Sequence, residues 1–143
     1  MNTLCIGSDH AGFELKRMMI ERLAPGWEIR DMGTNSPESC DYPLIAHSLC
    51  AEVVKTGCPG ILICGTGTGM SIAANRHKEI RAALCANELQ ARLARQHNNA
   101  NVLCLGARLT GSELAFAIIQ AFLATDFEGG RHQRRIDQLA FDD

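Results

Sequence analysis

The chain has 143 residues, 46% of them hydrophobic and 21% charged, and its 14 Lys+Arg against 16 Asp+Glu give a formal net charge of -2. Such values suit one ordinary globular domain (1–143) with a sizeable core, exclude a disordered or fibrous chain, and supply no overall basic field for nucleic acid or an anionic membrane. The longest apolar stretch, residues 114–124, is broken by Gln120 and falls short of the roughly 18 residues of a membrane span, while Asp9 and His10 come too early for a signal-peptide core, so a cytoplasmic protein is expected.

In chain order, short apolar runs rich in Ile, Leu, Val and Cys fall at residues 3–7, 27–32, 60–64, 81–85 and 101–106. Each is too short for a helix and bounded by Gly or polar residues, the pattern of a buried parallel strand. Between them, Leu15, Met18, Met19 and Leu23 make one helical stripe; Ala46, Leu49, Cys50 and Val53 a second; and Leu114, Ala117, Ile118, Ala121 and Phe122 a third. Pro43 suits a first helical position, and Thr110-Gly-Ser-Glu113 has capping-box spacing. Alternation of strand and helix predicts a Rossmann-like, three-layer α/β/α domain on a five-stranded parallel sheet. Ligands of such sheets bind beyond the carboxyl ends of the strands.

The seven cysteines are an odd number and mostly sit inside apolar runs, as reduced core thiols do. No CxxC pair occurs, and no two histidines lie three to five residues apart, so no metal site is expected.

The sharpest feature is Ile61-Leu-Ile-Cys64-Gly65-Thr66-Gly67-Thr68-Gly69-Met70-Ser71, a strand entering a loop with glycine at every second position. Its backbone N–H groups, backed by a helix dipole, suit a phosphate or a developing oxyanion; the alternative is a tight turn with no ligand. It is neither a Walker loop nor a dinucleotide fingerprint, since no Gly-Lys-Ser/Thr follows and Met70 replaces the third glycine. Cys64 ends the strand, where the dipole favours a thiolate usable as base or nucleophile; the alternative is another inert core thiol. After the first strand comes Gly7-Ser8-Asp9-His10-Ala11-Gly12. Asp9 there is an N-cap or a site carboxylate, and His10 at a helix start calls for a nearby anion.

Arg131, Arg134 and Arg135 open a terminal helix, against its dipole. A bound phosphate offsets them, or else the acidic residues Asp137, Asp142 and Asp143 do. His97 closes another helix as a candidate acid–base group or a simple C-cap. His47 and His77 read as surface or packing residues.

Taken together, the motifs at Gly7–Gly12, Asp41-Tyr42-Pro43, the Cys64 glycine loop, Ser71-Ile-Ala-Ala-Asn75, Arg95-Gln-His97-Asn98 and Glu128-Gly-Gly-Arg131-His-Gln-Arg-Arg135 closely resemble the ribose-5-phosphate isomerase B family. That family lies within a broader group that includes the galactose-6-phosphate isomerase subunits. The resemblance covers essentially the whole chain and implies interconversion of D-ribose 5-phosphate and D-ribulose 5-phosphate, part of pentose phosphate carbohydrate metabolism, with no cofactor. It implies Cys64 as the base and His97 as the ring-opening acid, with Thr66 and Asp9 also in the catalytic set. Asp9, His10, Asn98, Gly65, Thr66, Gly67, Thr68 and Gly69 hold the sugar and enediolate. Arg108, Arg131 and Arg135, with His10, clamp the phosphate, and Tyr42 lines the pocket. Some members place a glutamate base where Met70 stands here, which puts this chain with the cysteine-using branch. The resemblance further implies a homodimer or tetramer in which His97, Asn98 and Arg108 complete the partner's pocket. The competing expectations are an isomerase of another phosphosugar (allose, galactose or tetrose phosphate), a non-catalytic sugar-phosphate-binding subunit, and, weakest, a nucleotide-binding module.

Overall fold

The computed structural model describes residues 1–140 and contains one five-stranded parallel sheet of order β2-β1-β3-β5-β4. Its strands are β1 (Thr3–Ser8), β2 (Glu28–Asp31), β3 (Gly60–Cys64), β4 (Ala82–Leu84) and β5 (Val102–Gly106). The helices are α1 (Phe13–Leu23), α2 (Tyr42–Thr56), α3 (Thr68–Ala74), α4 (Glu88–Asn98), α5 (Ser112–Ala124) and α6 (Arg131–Asp137), with a single 3-10 turn at His10–Gly12. The expected three-layer architecture is therefore present. Asp142 and Asp143 lie outside the described residues.

Side-chain alternation along the central strands sorts the core into two layers. Leu4, Ile6, Ile61, Ile63, Leu103 and Leu105 face α1, α4 and α5, whereas Cys5, Leu62, Cys64, Val102 and Cys104 face α2 and α3. The strands β1, β3 and β5 are apolar on both faces because both faces are covered. The edge strands depart from the expected burial: β2 is mostly exposed and β4 only partly buried, since each has one neighbour.

Two helix details also differ from expectation. The stripe α5 buries is Ala115, Ile118, Ile119 and Phe122, one residue out of phase, and Leu114 is 39% exposed. No capping box forms: Gly111 is the N-cap, Thr110 stays in the turn after β5 with its N–H on Gly106 O, and Glu113 pairs with Arg22 at 3.0 Å. No helix among the described residues is long and apolar enough to cross a membrane.

Candidate active site

Beyond β1 the chain turns tightly, and Asp9 Oδ1 accepts the Gly12 N–H at 3.1 Å, so Asp9 does cap the 3-10 turn. One carboxylate oxygen remains for a further donor. A Cβ on Gly12 would come 2.7 Å from Ile63 O, so the turn lies directly against β3. His10 Nδ1 accepts the Cys40 N–H at 3.2 Å, which leaves Nε2 to carry the proton of the neutral ring and to donate outward.

The segment that delivers Cys40 is braced from below by Lys16, a residue the sequence gives no reason to single out. The residue is 1% exposed, and its ammonium donates to Asp31 Oδ1 at 2.6 Å and to Thr34 O at 2.8 Å, while Gly33 N–H shares the same carboxylate oxygen at 2.9 Å. The braced loop ends at Asp41, the N-cap of α2, with Pro43 in its first turn. Tyr42 is thereby laid over Gly69, where an added Cβ would sit 2.8 Å from the ring.

The glycine loop closes the group. Gly67 adopts φ 82°, a left-handed conformation that side-chain-bearing residues avoid, and in doing so caps α3 and turns its N–H onto Cys64 Sγ at 3.2 Å. That hydrogen bond strengthens as the sulfur gains negative charge. Thr68 N–H is held by Thr66 Oγ1 at 3.2 Å. Burial pushes the Cys5 thiol up to about 12 and those of Cys50 and Cys85 up to about 11, and lifts Cys104 well above its ordinary value. Met70 is fully buried in the α3 layer.

Arg108 joins this group from β5. Its N–H bonds to Gly65 O at 2.9 Å, and its guanidinium lies where a Cβ on Gly65 would come within 3.0 Å. Asp9, His10, Tyr42, Cys64, the loop and Arg108 thus assemble at the carboxyl edge of one chain.

The remaining candidates stand at the other edge. Because α4 leaves the carboxyl end of β4 and returns to the amino end of β5, His97 and Asn98 in its last turn lie near Asn101, whose Oδ1 and N–H hold the start of β4 through Arg81. The loop after α5 meets the same end of α4: Arg95 Nε donates to Thr125 O at 3.0 Å, and Glu128 N–H to Gln96 O at 3.1 Å. The helix α6 follows, so Arg131 and Arg135 sit with His97. The five-residue strand β5 separates this group from Cys64 by about 15 Å. That grouping differs from the implied one, which set Arg108 with His97 and Asn98.

Among the described residues Arg131 and Arg135 form no ion pair, and Asp137 takes the Gln133 side chain at 2.8 Å. The structure also joins His97, Glu128 and His132, whose ligand atoms all lie within 4.8 Å of one another. Spacing rules look for near neighbours in sequence and pass over such a set. A divalent ion would need converging lone pairs, whereas the two imidazoles stack with planes 18° apart. His47 and His77, read as surface residues, hydrogen-bond each other at 2.8 Å on the outside of α2.

The model of the family described as Ribose/Galactose Isomerase matches residues 4–139. The ribose-5-phosphate isomerase B of Escherichia coli K12 is 45% identical over 141 residues, covering 97% of this chain and 95% of that protein. A solved ribose-5-phosphate isomerase B from Thermotoga maritima superposes with a TM-score of 0.94 at 53% identity, covering 96% of each chain. The one from Mycoplasma genitalium, determined with bound ribulose-5-phosphate, gives 0.92 at 45% identity over 96% of this chain and 93% of that chain.

Proposed function

The chain belongs to the ribose/galactose isomerase family, and from that premise we propose that it interconverts D-ribose 5-phosphate and D-ribulose 5-phosphate as a single catalytic domain. The observation that carries the reading is the Gly67 N–H on Cys64 Sγ at 3.2 Å, which ties a thiolate-favouring donor to the loop built for an oxyanion.

Isomerisation needs an open aldehyde, so the furanose opens first. His97 donates a proton to the ring oxygen, the anomeric hydroxyl passes its own proton to water, and the C1–O bond to the ring breaks as the C1 carbonyl forms. Cys64 as thiolate then removes the proton on C2, and the electron pair moves into an enediolate shared over C1, C2 and their oxygens. Loop N–H groups stabilise the charge on those oxygens. A proton passes from the C2 hydroxyl to O1, and return of the carbon-bound proton from the Cys64 thiol to C1 gives the ketose and restores the thiolate. Asp9, through its free carboxylate oxygen, and His10, through Nε2–H, orient hydroxyl and phosphate oxygens; Tyr42 covers the ring. Arg108, Arg131 and Arg135 hold the phosphate.

Cys64 and His97 stand at opposite edges of one chain, so a working pocket requires His97, Asn98 and the α6 arginines of a second copy against the carboxyl edge of the first. A homodimer with two equivalent shared sites is the simplest closed assembly.

The test is turnover of ribose 5-phosphate by the purified protein with chelator present, beside Cys64→Ala and a hexose 6-phosphate. Pentose turnover lost in Cys64→Ala is expected. Turnover of the hexose alone would keep the mechanism and change the substrate, whereas binding of either sugar with no turnover would make the chain a sugar-phosphate-binding subunit.

A further inference from the structure

Two side chains with no part in those steps stand directly behind His97. His132, in the first turn of α6, is 7% exposed and stacks its imidazole on that of His97, with centroids 4.5 Å apart and planes 18° from parallel. Glu128, in the turn before α6, brings Oε1 to 3.7 Å from His97 Nε2 and 4.0 Å from His132 Nε2. Its backbone N–H on Gln96 O pins that turn to the residue preceding His97.

We propose that His132 and Glu128 are positioning residues for His97: the buried ring fixes the plane of the exposed one, and the carboxylate fixes which way its nitrogens face. The proposal rests on the reading of His97 as the ring-opening acid. A buried imidazole is a costly way to fill space that Leu or Phe would fill without a polar group to satisfy. Charge supplies the reason for it. Burial, with His97, Arg131 and Arg135 beside it and only Glu128 opposing, holds His132 below its ordinary 6.5. The Glu128 carboxylate is therefore left to the His97 ring, whose side chain is 41% exposed. Because α6 also bears Arg131 and Arg135, one short helix links the phosphate grip to the orientation of the acid.

The experiment measures kcat and KM for ribose 5-phosphate, across neutral pH, in the intact assembly carrying His132→Ala, His132→Phe, Glu128→Gln or His97→Ala. In His132→Ala, kcat is expected to fall about tenfold or more with KM nearly unchanged, as for loss of a productive orientation. His132→Phe, which restores a stacking ring, recovers most of that loss. Glu128→Gln lowers kcat and moves the acid limb of the pH profile. Mere disturbance of α6 would instead displace Arg131 and Arg135 and raise KM with kcat intact, which overturns the proposal. So does a His132→Phe variant that folds yet is no better than Ala, or a Glu128→Gln profile identical to wild type. His97→Ala separates the two levels. Wild-type turnover in that variant removes the acid assignment itself, whereas an inactive His97→Ala beside unimpaired His132 and Glu128 variants removes only the positioning.

Discussion

The carboxyl and amino edges of the sheet are built on different principles. The carboxyl edge is mostly backbone: Gly67 N–H on Cys64, Gly12 N–H on Asp9, Cys40 N–H on His10, and aromatic and guanidinium groups laid on glycines that have no room for a Cβ. The amino edge is mostly side chains: a histidine stack, a shared carboxylate, and arginines without ion pairs among the described residues. Rigid backbone suits a group that must stabilise a developing charge without reorganising. Side chains on helix ends suit a group that must be presented to another molecule. On the proposed reading, neither edge carries a complete set of acid, base and phosphate anchor.

The largest effect that would break this division comes from mixing. Cys64→Ala and His97→Ala homo-oligomers should each be about 100- to 10,000-fold slower than wild type. If two chains share each site, unfolding and refolding them together restores one intact pocket per mixed dimer, so activity returns to about a quarter of the wild-type value. Absence of recovery would place acid and base in a single chain.

Next in size, Arg108→Ala and Arg131→Ala stand on opposite edges yet should act alike. Each removes a charged hydrogen bond to the same phosphate and should raise KM about 10- to 100-fold with kcat nearly constant. A rise in only one would locate the phosphate at that edge alone.

Thiol alkylation should distinguish the proposed base from the core cysteines. Cys5, Cys50, Cys85 and Cys104 stay protonated under any neutral condition, so inactivation by iodoacetamide should map to Cys64 and be slowed by bound phosphosugar. Modification of a core thiol as fast as Cys64 would contradict the contrast.

The smallest effect concerns the amino edge alone. His132 is held below the 6.5 at which the unfolded chain protonates it. Its contribution to stability is therefore complete above pH 6.5 and is lost as pH falls toward the folded-state value, because the unfolded chain then binds the extra proton. Denaturant midpoints of wild type should drop between neutral and mildly acid pH more than those of His132→Phe, and equal drops would count against it.

Much of this was legible in the sequence because it is local. Strands β1, β3 and β5 announce themselves as unbroken apolar runs, and alternating glycines after Cys64 mark a loop that few other sequences could form. What was not legible is relational. Nothing in Glu28-Ile-Arg-Asp31 or Ala82-Ala-Leu84 says that each lies at an edge with one neighbour. The phase of α5 is hidden because Leu114, Ala115, Phe116, Ala117, Ile118 and Ile119 are apolar all round. His97 and His132 are 35 positions apart, so their stack exists only after folding. The division of the site residues between two edges follows from helix direction, which no motif records.

Lys16 was hidden for a different reason, and its burial reaches beyond the loop it braces. It shares the inward face of α1 with Leu15, Met19 and Leu23, yet it is a lysine. With its ammonium enclosed, the partnership with Asp31 is lopsided: losing the carboxylate alone strands a buried cation, whereas losing the lysine alone leaves Asp31, 41% exposed, to water and the Gly33 N–H. Replacement of Asp31 should therefore require replacement of Lys16 as well, and a chain that replaced both with fitted neutral residues would keep the loop while shedding the charge. A residue remote from the chemistry thus sets which sequences can carry it.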